Sequence, residues 1–316
     1  MTVRDLVYVE GPIHPEAMAL LEEHGDVALG FGPHAVPVTE VCDRVAGILM
    51  RTGRLDADVI ANAPHLRVIA RHGVGLDSID VEAATRAGVL VLITSQANAA
   101  SVAEHTVGLL IAAARRYRET TTVVSEGEFG RRDQLVGTQL AGRTLAVVGY
   151  GRIGRRVGAV AEALQMDVRV HDPYLPSEAL PTAHERLETA LDAADALTVH
   201  VPLTPQTSSL VGARELDLLA PAAIVVNTAR GGVVDEAALA ERLRDGRLSA
   251  AGVDVFATEP PVHSPLLGLD NVILTPHIAA HTAEAIRRMS IDAAHNITRV
   301  LGGDEPAAEV TAVNRG

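Results

Sequence analysis

Three residues whose side chains can move a proton or bind an anion lie in the second half of the chain: Arg230, Glu259 and His277. Each follows a run of small and β-branched apolar residues, which is typical of a buried parallel strand. In an open α/β sheet, ligands bind outside the carboxyl ends of the strands. At that edge a histidine can take or give a proton, a glutamate can hold its imidazole, and an arginine can bind a carboxylate through two N–H groups.

Each of these residues also has a simpler explanation. Arg230 could cap a strand, Glu259 could be a solvated loop acid, and His277 could be a hydrogen-bonded core histidine. Taken singly, the simpler explanations carry more weight. Three such residues after three separate strands are much harder to explain by coincidence, so the pattern favours a catalytic set that combines proton transfer with carboxylate binding.

A glycine-rich sequence after another apolar run predicts a nucleotide site. The run at residues 145–148 is followed by Gly149-Tyr150-Gly151-Arg152-Ile153-Gly154 and then by a helical pattern. Strand, glycine turn and helix form the context in which GxGxxG binds a dinucleotide, whereas the same letters alone could be a surface turn. The first glycine would allow the tight turn, the second the close approach of a pyrophosphate, and the third the packing of helix against strand.

An acidic residue at the end of the next strand pattern predicts which dinucleotide binds. Asp172 lies 18 residues after Gly154. A carboxylate there can accept hydrogen bonds from an adenosine ribose and would repel a 2′-phosphate. The alternative is a solvated acid that ends the strand before Pro173. Because the strand, glycine turn, helix and second strand follow one another at the expected spacing, we expect NAD rather than NADP.

The overall composition narrows the class of protein. The 316 residues provide material for about two domains, and 47% of them are apolar, which is ample for buried cores. A net charge of −13 argues against a nucleic-acid partner, because phosphates require a basic face. The longest apolar runs fall well short of the roughly 20 residues that a membrane helix needs, so we expect no membrane partner.

Residue usage excludes several further kinds of chemistry. The single cysteine, Cys42, cannot form an internal disulfide or a cysteine-rich metal site, which favours a cytoplasmic location. The absence of lysine excludes a Walker A phosphate loop and a Schiff-base mechanism, so anions must be held by arginine or backbone N–H groups. His277 and His281 have the spacing of a zinc helix but lack the glutamate of HExxH, so we expect no metal.

Strand and helix patterns alternate twice along the chain. The first hundred residues read as a small doubly wound α/β unit, with strands predicted at 6–9, 45–50, 65–70 and 89–92 and helices at 15–24, 56–61 and 81–87. The alternation resumes between residues 144 and 276. Because the glycine fingerprint begins only at Gly149, it opens a second unit rather than the chain's first.

Helical patterns also lie between and after these units. Residues 101–118 predict one long helix with Ser101 as its N-cap. Residues 120–142 lack helical periodicity and predict a projecting arm or a loose linker. A last helix is predicted after Thr282, which would cap it, and before Gly302.

Together these motifs resemble the D-2-hydroxyacid dehydrogenases, the family that includes phosphoglycerate, glycerate/hydroxypyruvate and formate dehydrogenases. The similarity covers nearly the whole chain and is carried by segments 71–80, 101–106, 149–154, 200–204, 227–231, 254–256, 259–260 and 275–278. It implies an α/β fold of two doubly wound parallel-sheet domains. A Rossmann NAD-binding domain (residues 99–281) would be inserted into a flavodoxin-like substrate domain (1–98 and 282–316).

The resemblance also implies roles for individual residues. His277, paired with Glu259, would remove the hydroxyl proton of a D-2-hydroxy acid while C2 passes a hydride to the nicotinamide. Arg230 and the N–H groups of Val74 and Gly75, next to Gly73, would hold the substrate carboxylate. The implied cofactor-binding residues are Thr106, Gly149, Gly151, Arg152, Ile153, Gly154, Asp172, His200, Val201, Pro202, Thr228, Ala229 and Asp254. Among them, Asp254 and the Ala229 carbonyl would meet the nicotinamide amide, and residues 200–202 would line the adenine side.

The substrate and the assembly are less closely defined. Arg51 and Arg71 match arginines that phosphoglycerate dehydrogenases place near the substrate phosphate, so a 3-phosphoglycerate-like substrate is expected; alternatively, both pair with local acids. A hydroxypyruvate or glyoxylate reductase is the alternative enzyme, and an NAD-sensing corepressor-like protein is the alternative from a different class. Family members are typically homodimers joined through the long helix and the 120–142 arm, where this chain offers Phe129 in place of a frequent tryptophan.

Overall fold

The computed structural model describes residues 4–175, 183, 186–306, 311, 312 and 314. The strands are β1 Leu6–Val9, β2 Asp26–Leu29, β3 Val45–Met50, β4 Val68–Arg71, β5 Leu90–Ile93, β6 Thr144–Val148, β7 Asp167–His171, β8 Ala196–Val199, β9 Ala223–Asn227, β10 Leu248–Val253, β11 Val272–Leu274 and β12 Thr311–Ala312. The helices are α1 Pro15–His24, α2 Ala57–Ala61, α3 Val81–Arg86, α4 Ala99–Ala114, α5 Tyr117–Ser125, α6 Arg152–Ala163, α7 Leu187–Leu191, α8 Ala213–Leu216, α9 Glu236–Arg244 and α10 Ala283–Leu301. Within these described ranges, no helix combines the length and apolar composition needed to cross a membrane.

The chain divides into two compact units. The first comprises Met1–Asn98 and His281–Gly316, and the second comprises Ala99–Ala280. Each unit contains its own six-stranded sheet, and side chains on both faces of each sheet are buried against helices. The chain therefore has the predicted fold class, two doubly wound α/β domains.

The first unit has the flavodoxin-like strand order. Its sheet runs β2-β1-β3-β4-β5-β12, in which β1 to β5 are parallel and β12 is antiparallel to β5. Along β1, Val7 and Val9 enter the core under α1 and α10, while Tyr8 enters the core under α2 and α3. The sequence pattern missed β2 and β12, a four-residue edge strand and a two-residue edge strand.

The second unit is parallel throughout. Its sheet runs β7-β6-β8-β9-β10-β11, and an isolated parallel bridge joins Val170 to Ala183 beyond β7. The strand order reverses between β6 and β8, because the chain moves outward to β7 and then returns to the other side of β6. In sheets of this type, ligands bind at the carboxyl end of such a switch point. The glycine fingerprint that follows β6 lies there.

The long helix predicted over 101–118 is shorter and begins earlier. Helix α4 starts at Ala99, so Ser101 lies buried inside it and is not its N-cap. The helix ends because the returning chain takes its last carbonyl: the N–H of Thr138 donates to the oxygen of Ala114 at 2.8 Å. Arg116 then adopts φ +53° and a separate helix, α5, follows. Helix α5 therefore extends into residues 120–142, although the sequence there shows no helical periodicity.

Candidate active site

The polar residues that follow β10 and β11 meet in the second unit. The imidazole Nδ1 of His277 lies 2.9 Å from Oε2 of Glu259. Because a carboxylate only accepts hydrogen bonds, Nδ1 must carry the proton, which leaves Nε2 with a lone pair. The two side chains are 48% and 39% exposed, so this base is accessible to a ligand.

The Glu259 carboxylate is fixed on its other side as well. Its Oε1 accepts the backbone N–H of Phe256 at 3.1 Å. With one oxygen on this N–H and the other on the imidazole, the carboxylate has little freedom to rotate. Glu259 can therefore hold the ring of His277 in one tautomer and stabilise the imidazolium after proton transfer.

The backbone of His277 is held in an unusual conformation by Asp254. His277 has φ +52°, a left-handed value that is uncommon for residues other than glycine. Its N–H donates to the carbonyl of Asp254 at 2.8 Å. The Asp254 carboxylate accepts the N–H groups of Ile278 and Ala279, both at 2.9 Å. The main chain and side chain of one residue thus define the turn that presents the imidazole.

A buried network continues from Asp254 to helix α4. The hydroxyl of Thr275 donates to Asp254 Oδ1 at 2.6 Å, so Nε2 of His105 must donate to Thr275 Oγ1, 3.1 Å away. Burial raises the pKa of Asp254, but hydrogen bonds from His105, Thr275 and two backbone N–H groups outweigh it and lower the pKa overall.

The position of Asp254 favours a structural role over the expected cofactor contact. Contact with a nicotinamide amide requires an accessible carboxylate, but this carboxylate is 0% exposed and its oxygens accept hydrogen bonds from the chain itself. Asp254 is therefore placed to shape the His277 turn rather than to touch a cofactor.

Arg230 is positioned by the residue that ends β9. The Asn227 side chain donates to the carbonyl of Arg230 at 3.1 Å and accepts the N–H of Ala229 at 3.0 Å. The guanidinium donates to the Ala229 carbonyl at 2.7 Å, which is the carbonyl expected to meet the nicotinamide amide. A Cβ at Gly231 would lie 1.9 Å from the carbonyl carbon of Phe256, so glycine is needed for the loops after β9 and β10 to touch. These loops carry Arg230 and Glu259.

The three fingerprint glycines have distinct geometric roles. Gly149 has φ +89°, and a Cβ there would lie 2.7 Å from the carbonyl oxygen of His200. A Cβ at Gly154 would lie 2.1 Å from the oxygen of Gly149, so this glycine is required for helix packing. At Gly151, the N-cap of α6, nothing lies within 4 Å of a Cβ position. The open space at the positive end of this helix, whose first residues are Arg152 and Ile153, fits a pyrophosphate.

Asp172 lies beside this glycine turn. Its Oδ2 accepts the N–H of Tyr150 at 2.8 Å, and its Oδ1 accepts the N–H of Tyr174 at 2.9 Å. Each carboxylate oxygen has two lone pairs, so the group can also accept ribose hydroxyls. The two backbone bonds fix the negative charge where it would meet a 2′-phosphate.

Other residues expected to bind the cofactor have buried side chains. The hydroxyls of Thr106 and Thr228 bond each other at 2.7 Å inside the second unit. Nε2 of His200 lies 3.0 Å from the Thr198 hydroxyl, and burial lowers the His200 pKa to about 3. These three side chains thus have hydrogen-bond partners within the chain, and their contacts with the cofactor stay a prediction. Val201 and Pro202 remain at the surface beside the glycine turn.

The backbone nest expected in the first unit has a suitable geometry. Gly73 adopts φ +127°, and its N–H donates to the Thr94 hydroxyl at 2.8 Å. The N–H groups of Val74 and Gly75 have no acceptor among the residues that the structure describes. Two consecutive N–H groups of this kind form an anion-binding concavity.

The two arginines expected near a substrate phosphate are bonded to local carbonyl groups. The Arg51 guanidinium donates to Pro12 at 2.7 Å. The Arg71 guanidinium donates to Gly75 at 2.8 Å and to the carbonyl of Arg51. A nearby carboxylate that the sequence did not point to is that of Glu10, the residue after β1, which accepts the backbone N–H of Arg51 at 2.9 Å.

The histidine pair with zinc-helix spacing does not lie on a helix. His277 and His281 both precede Ala283, where α10 begins. Across the described parts of the chain, no group of three or more histidine, cysteine or acidic side chains is placed to hold a metal ion.

Comparisons with known proteins point to one family. A family model described as "D-isomer specific 2-hydroxyacid dehydrogenase, NAD binding domain" matches residues 107–279. The chain is 42% identical over 303 residues to the D-3-phosphoglycerate dehydrogenase of Methanocaldococcus jannaschii, covering 94% of this chain and 58% of that protein. It is 38% identical over 302 residues to the hydroxypyruvate reductase of Thermotoga maritima, covering 94% of this chain and 98% of that protein.

A solved structure extends the similarity to three dimensions. A protein from Thermus thermophilus matches with a TM-score of 0.87 and 37% identity, over 96% of this chain and 98% of that one. The chain spans less than two thirds of the phosphoglycerate dehydrogenase relative but nearly the full length of the reductase relative. The family model alone covers more than half of the sequence. The chain therefore belongs to the D-isomer specific 2-hydroxyacid dehydrogenase family.

Proposed function

We propose that this chain is an NAD-dependent dehydrogenase that interconverts a D-2-hydroxy acid and the corresponding 2-keto acid. The observation that carries the proposal is the pair formed by His277 and Glu259, with a proton fixed at Nδ1 and an accessible lone pair at Nε2. A binding protein that only senses NAD has no need of such a base. Family membership and the adjacent Arg230 loop support the same reaction.

In the proposed mechanism, Arg230 binds the substrate carboxylate and His277 handles the proton. NAD, when bound, supplies the hydride acceptor at its nicotinamide ring. Nε2 of His277 takes the proton from the C2 hydroxyl as the hydride leaves C2, and Glu259 stabilises the resulting imidazolium. In the reverse direction, the imidazolium returns this proton to the carbonyl oxygen.

The second unit holds the cofactor in this proposal. The N-terminus of α6, where Gly151 leaves open space beside the first helical residues Arg152 and Ile153, would hold the pyrophosphate. Asp172 binds the adenosine ribose and repels a 2′-phosphate, which makes NAD the preferred cofactor.

The N–H groups of Val74 and Gly75 in the first unit are the further proposed site for a carboxylate. The names of the relatives divide between phosphoglycerate dehydrogenase and hydroxypyruvate reductase. Arg51 and Arg71 favour a substrate with a second anionic group. Their bonds to local carbonyls, and the Glu10 carboxylate that accepts the backbone N–H of Arg51, favour a smaller 2-keto acid such as hydroxypyruvate or glyoxylate.

We infer a homodimer formed through the arm. Phe129 and Val136 are 66% and 78% exposed, and Val124 and Tyr117 are exposed on α5. Large apolar side chains that cluster on one segment and are exposed to solvent mark an interaction surface. A cytoplasmic location remains a prediction from the single cysteine.

The experiment that tests the function is a panel of 2-keto acids with NADH. Glyoxylate, hydroxypyruvate, 3-phosphohydroxypyruvate and bulkier 2-keto acids are compared by the loss of NADH absorbance. The proposal expects turnover of at least one of them. NADH binding without turnover of any would instead favour the NAD-sensing protein.

A further inference from the structure

A second carboxylate in the second unit holds the loop that carries Glu259. Glu236 is the first residue of α9, and its Oε1 accepts the backbone N–H of Ala257 at 2.6 Å. Its Oε2 accepts a hydrogen bond from the hydroxyl of Ser264. Ala257 and Ser264 lie before and after Glu259 in the sequence. One side chain therefore bridges the two ends of residues 257–264, which we call the Glu259 loop.

Packing against a glycine holds the start of the same loop. A Cβ at Gly231 would lie 1.9 Å from the carbonyl carbon of Phe256 and 2.4 Å from the nitrogen of Ala257. Gly231 thus lies against the peptide group whose N–H Glu236 accepts. The steric contact and the hydrogen bond are independent observations, and both come from the segment that leads from Arg230 into α9. This peptide group is therefore held from two sides.

The segment that provides these contacts is itself fixed to the core. Val233 and Val234 are buried. The N–H of Val211 donates to the carbonyl of Val233 at 3.1 Å, and the N–H of Asp235 donates back to Val211 at 3.0 Å. The Asp235 side chain also caps α9 through two N–H groups of its first turn. By contrast, residues 257–260 of the Glu259 loop are exposed. Glu236 thus connects a rigid support to an exposed loop.

From this arrangement we propose that Glu236 is a positioning residue, which closes the Glu259 loop and so keeps the Glu259 carboxylate directed at Nδ1 of His277. The inference rests on the proposed function and adds to it a residue that acts through Glu259. Two consecutive N–H groups divide between the two carboxylates, because Phe256 donates to Glu259 at 3.1 Å and Ala257 donates to Glu236. A shift of the Ala257 peptide therefore displaces the neighbouring N–H that fixes Glu259.

Two replacements of Glu236 separate the length of the side chain from its charge. Glu236→Asp keeps a negative charge at the start of α9, where the helix dipole favours it, but is one methylene too short to contact both Ala257 and Ser264. Glu236→Gln keeps the length, and its amide can accept the N–H of Ala257 and donate to the oxygen of Ser264. Glu241→Asp shortens an exposed glutamate of the same helix and is the control. Only Glu236→Asp should release the loop.

The tautomer of His277 reports on the loop without any substrate. Long-range proton–nitrogen correlation spectra of isotope-labelled histidines, assigned with His277→Gln, show which ring nitrogen carries the proton. We expect it at Nδ1 in the wild type, Glu236→Gln and Glu241→Asp, and a mixture of both tautomers in Glu236→Asp. A mixture in the wild type, or the Nδ1 proton retained in Glu236→Asp, overturns the inference. This measurement decides the inference even if no 2-keto acid is reduced.

Turnover gives a second measurement, the separate changes in kcat and KM. A misplacement of about 1 Å can cost on the order of 10²-fold in rate, so kcat of Glu236→Asp should be at least about tenfold lower. KM should change little, because Asn227 holds the Arg230 loop separately. In a Glu259→Gln background, Glu236→Asp should lower kcat by less than about twofold, since residues that act through one another are not additive. An equal loss in both backgrounds, or a Glu236→Gln variant as impaired as Glu236→Asp, overturns the inference.

Discussion

The carbonyl oxygen of Asp254 accepts the N–H of His277 at 2.8 Å, and the carboxylate of the same aspartate accepts the next two N–H groups along the chain. One buried residue thus holds the proposed catalytic base in a left-handed backbone conformation. The family resemblance suggested that Asp254 touches the cofactor. The geometry favours a positioning role instead, and the two roles predict different kinetics.

Replacing Asp254 should lower kcat more than it weakens cofactor binding. In Asp254→Asn, one of the N–H groups at residues 278 and 279 loses its acceptor and the turn relaxes. A misplacement of about 1 Å in a catalytic group can cost on the order of 10²-fold in rate. We therefore expect kcat to fall by about 10²-fold, with the Kd for NADH changed by less than about threefold. Asp270→Asn, an exposed residue before β11, is the control. A large loss of NADH affinity with an unchanged kcat would instead show that Asp254 contacts the cofactor directly.

The cofactor preference should depend on Asp172. Its carboxylate is held by the N–H groups of Tyr150 and Tyr174, where it can accept ribose hydroxyls. Hydrogen bonds to charged groups contribute about 1.5–3 kcal/mol, so Asp172→Ala should reduce the preference of kcat/KM for NADH over NADPH by roughly 10- to 100-fold. Asp167 lies at the exposed start of β7, the strand that Asp172 follows, and Asp167→Ala should have no such effect. Equal use of NADH and NADPH by the wild type would refute the ribose argument.

The stability of the protein should fall in mild acid because of His72. This ring is buried and contacts the Ser290 hydroxyl at 3.0 Å; burial, together with the charges of Arg51 and Arg71, lowers its pKa from 6.5 to about 4. Below about pH 6.5 the unfolded chain takes up a proton that the folded chain excludes. The free energy of unfolding should therefore decrease by about 3 kcal/mol between pH 6.5 and pH 4.

Chemical denaturation at several pH values measures this dependence. His72→Gln cannot take up the proton, so its stability should change less with pH than that of the wild type. His65→Gln removes an exposed histidine of the same unit and should behave like the wild type. An identical pH dependence for wild type and His72→Gln would contradict the assignment.

The oligomeric state should depend on the arm. Replacing Phe129 and Val136 by serine removes two of its most exposed apolar side chains. Light scattering after gel filtration should give a dimer mass for the wild type and a monomer mass for the double variant. Val262→Ser changes an equally exposed valine outside the arm and should leave the dimer intact. A wild-type monomer would refute the proposed assembly.

The sequence predicted the strand-end residues better than the contacts between them. Arg230, Glu259 and His277 follow apolar runs, so one rule about parallel sheets places all of them at the same edge. The same rule, applied to the first unit, identifies Glu10 after β1, which the sequence analysis overlooked. The burial of Asp254 could not be predicted, because it depends on His105 and on a backbone turn more than twenty residues away.

The helix boundaries near the arm show a second limit. An unbroken pattern of helix-forming residues continues past Ala114, and nothing local predicts the break. The helix ends there because Gly137 and Thr138 return to it from beyond α5, and Thr138 bonds its last carbonyl. Tertiary contacts of this kind override local propensity.

His277 is the proposed base of a dehydrogenase, and its replacement provides the sharpest test of this role. NADH oxidation with hydroxypyruvate and glyoxylate is measured for the wild type and for His277→Gln, after confirming that both are folded and bind NADH equally. His263→Gln, an exposed histidine on a nearby loop, is the matched control. We expect wild-type turnover, an unchanged control, and a kcat lower by on the order of 10³-fold in His277→Gln. This role is contradicted if the wild type binds NADH but reduces neither acid, or if His277→Gln keeps the wild-type kcat.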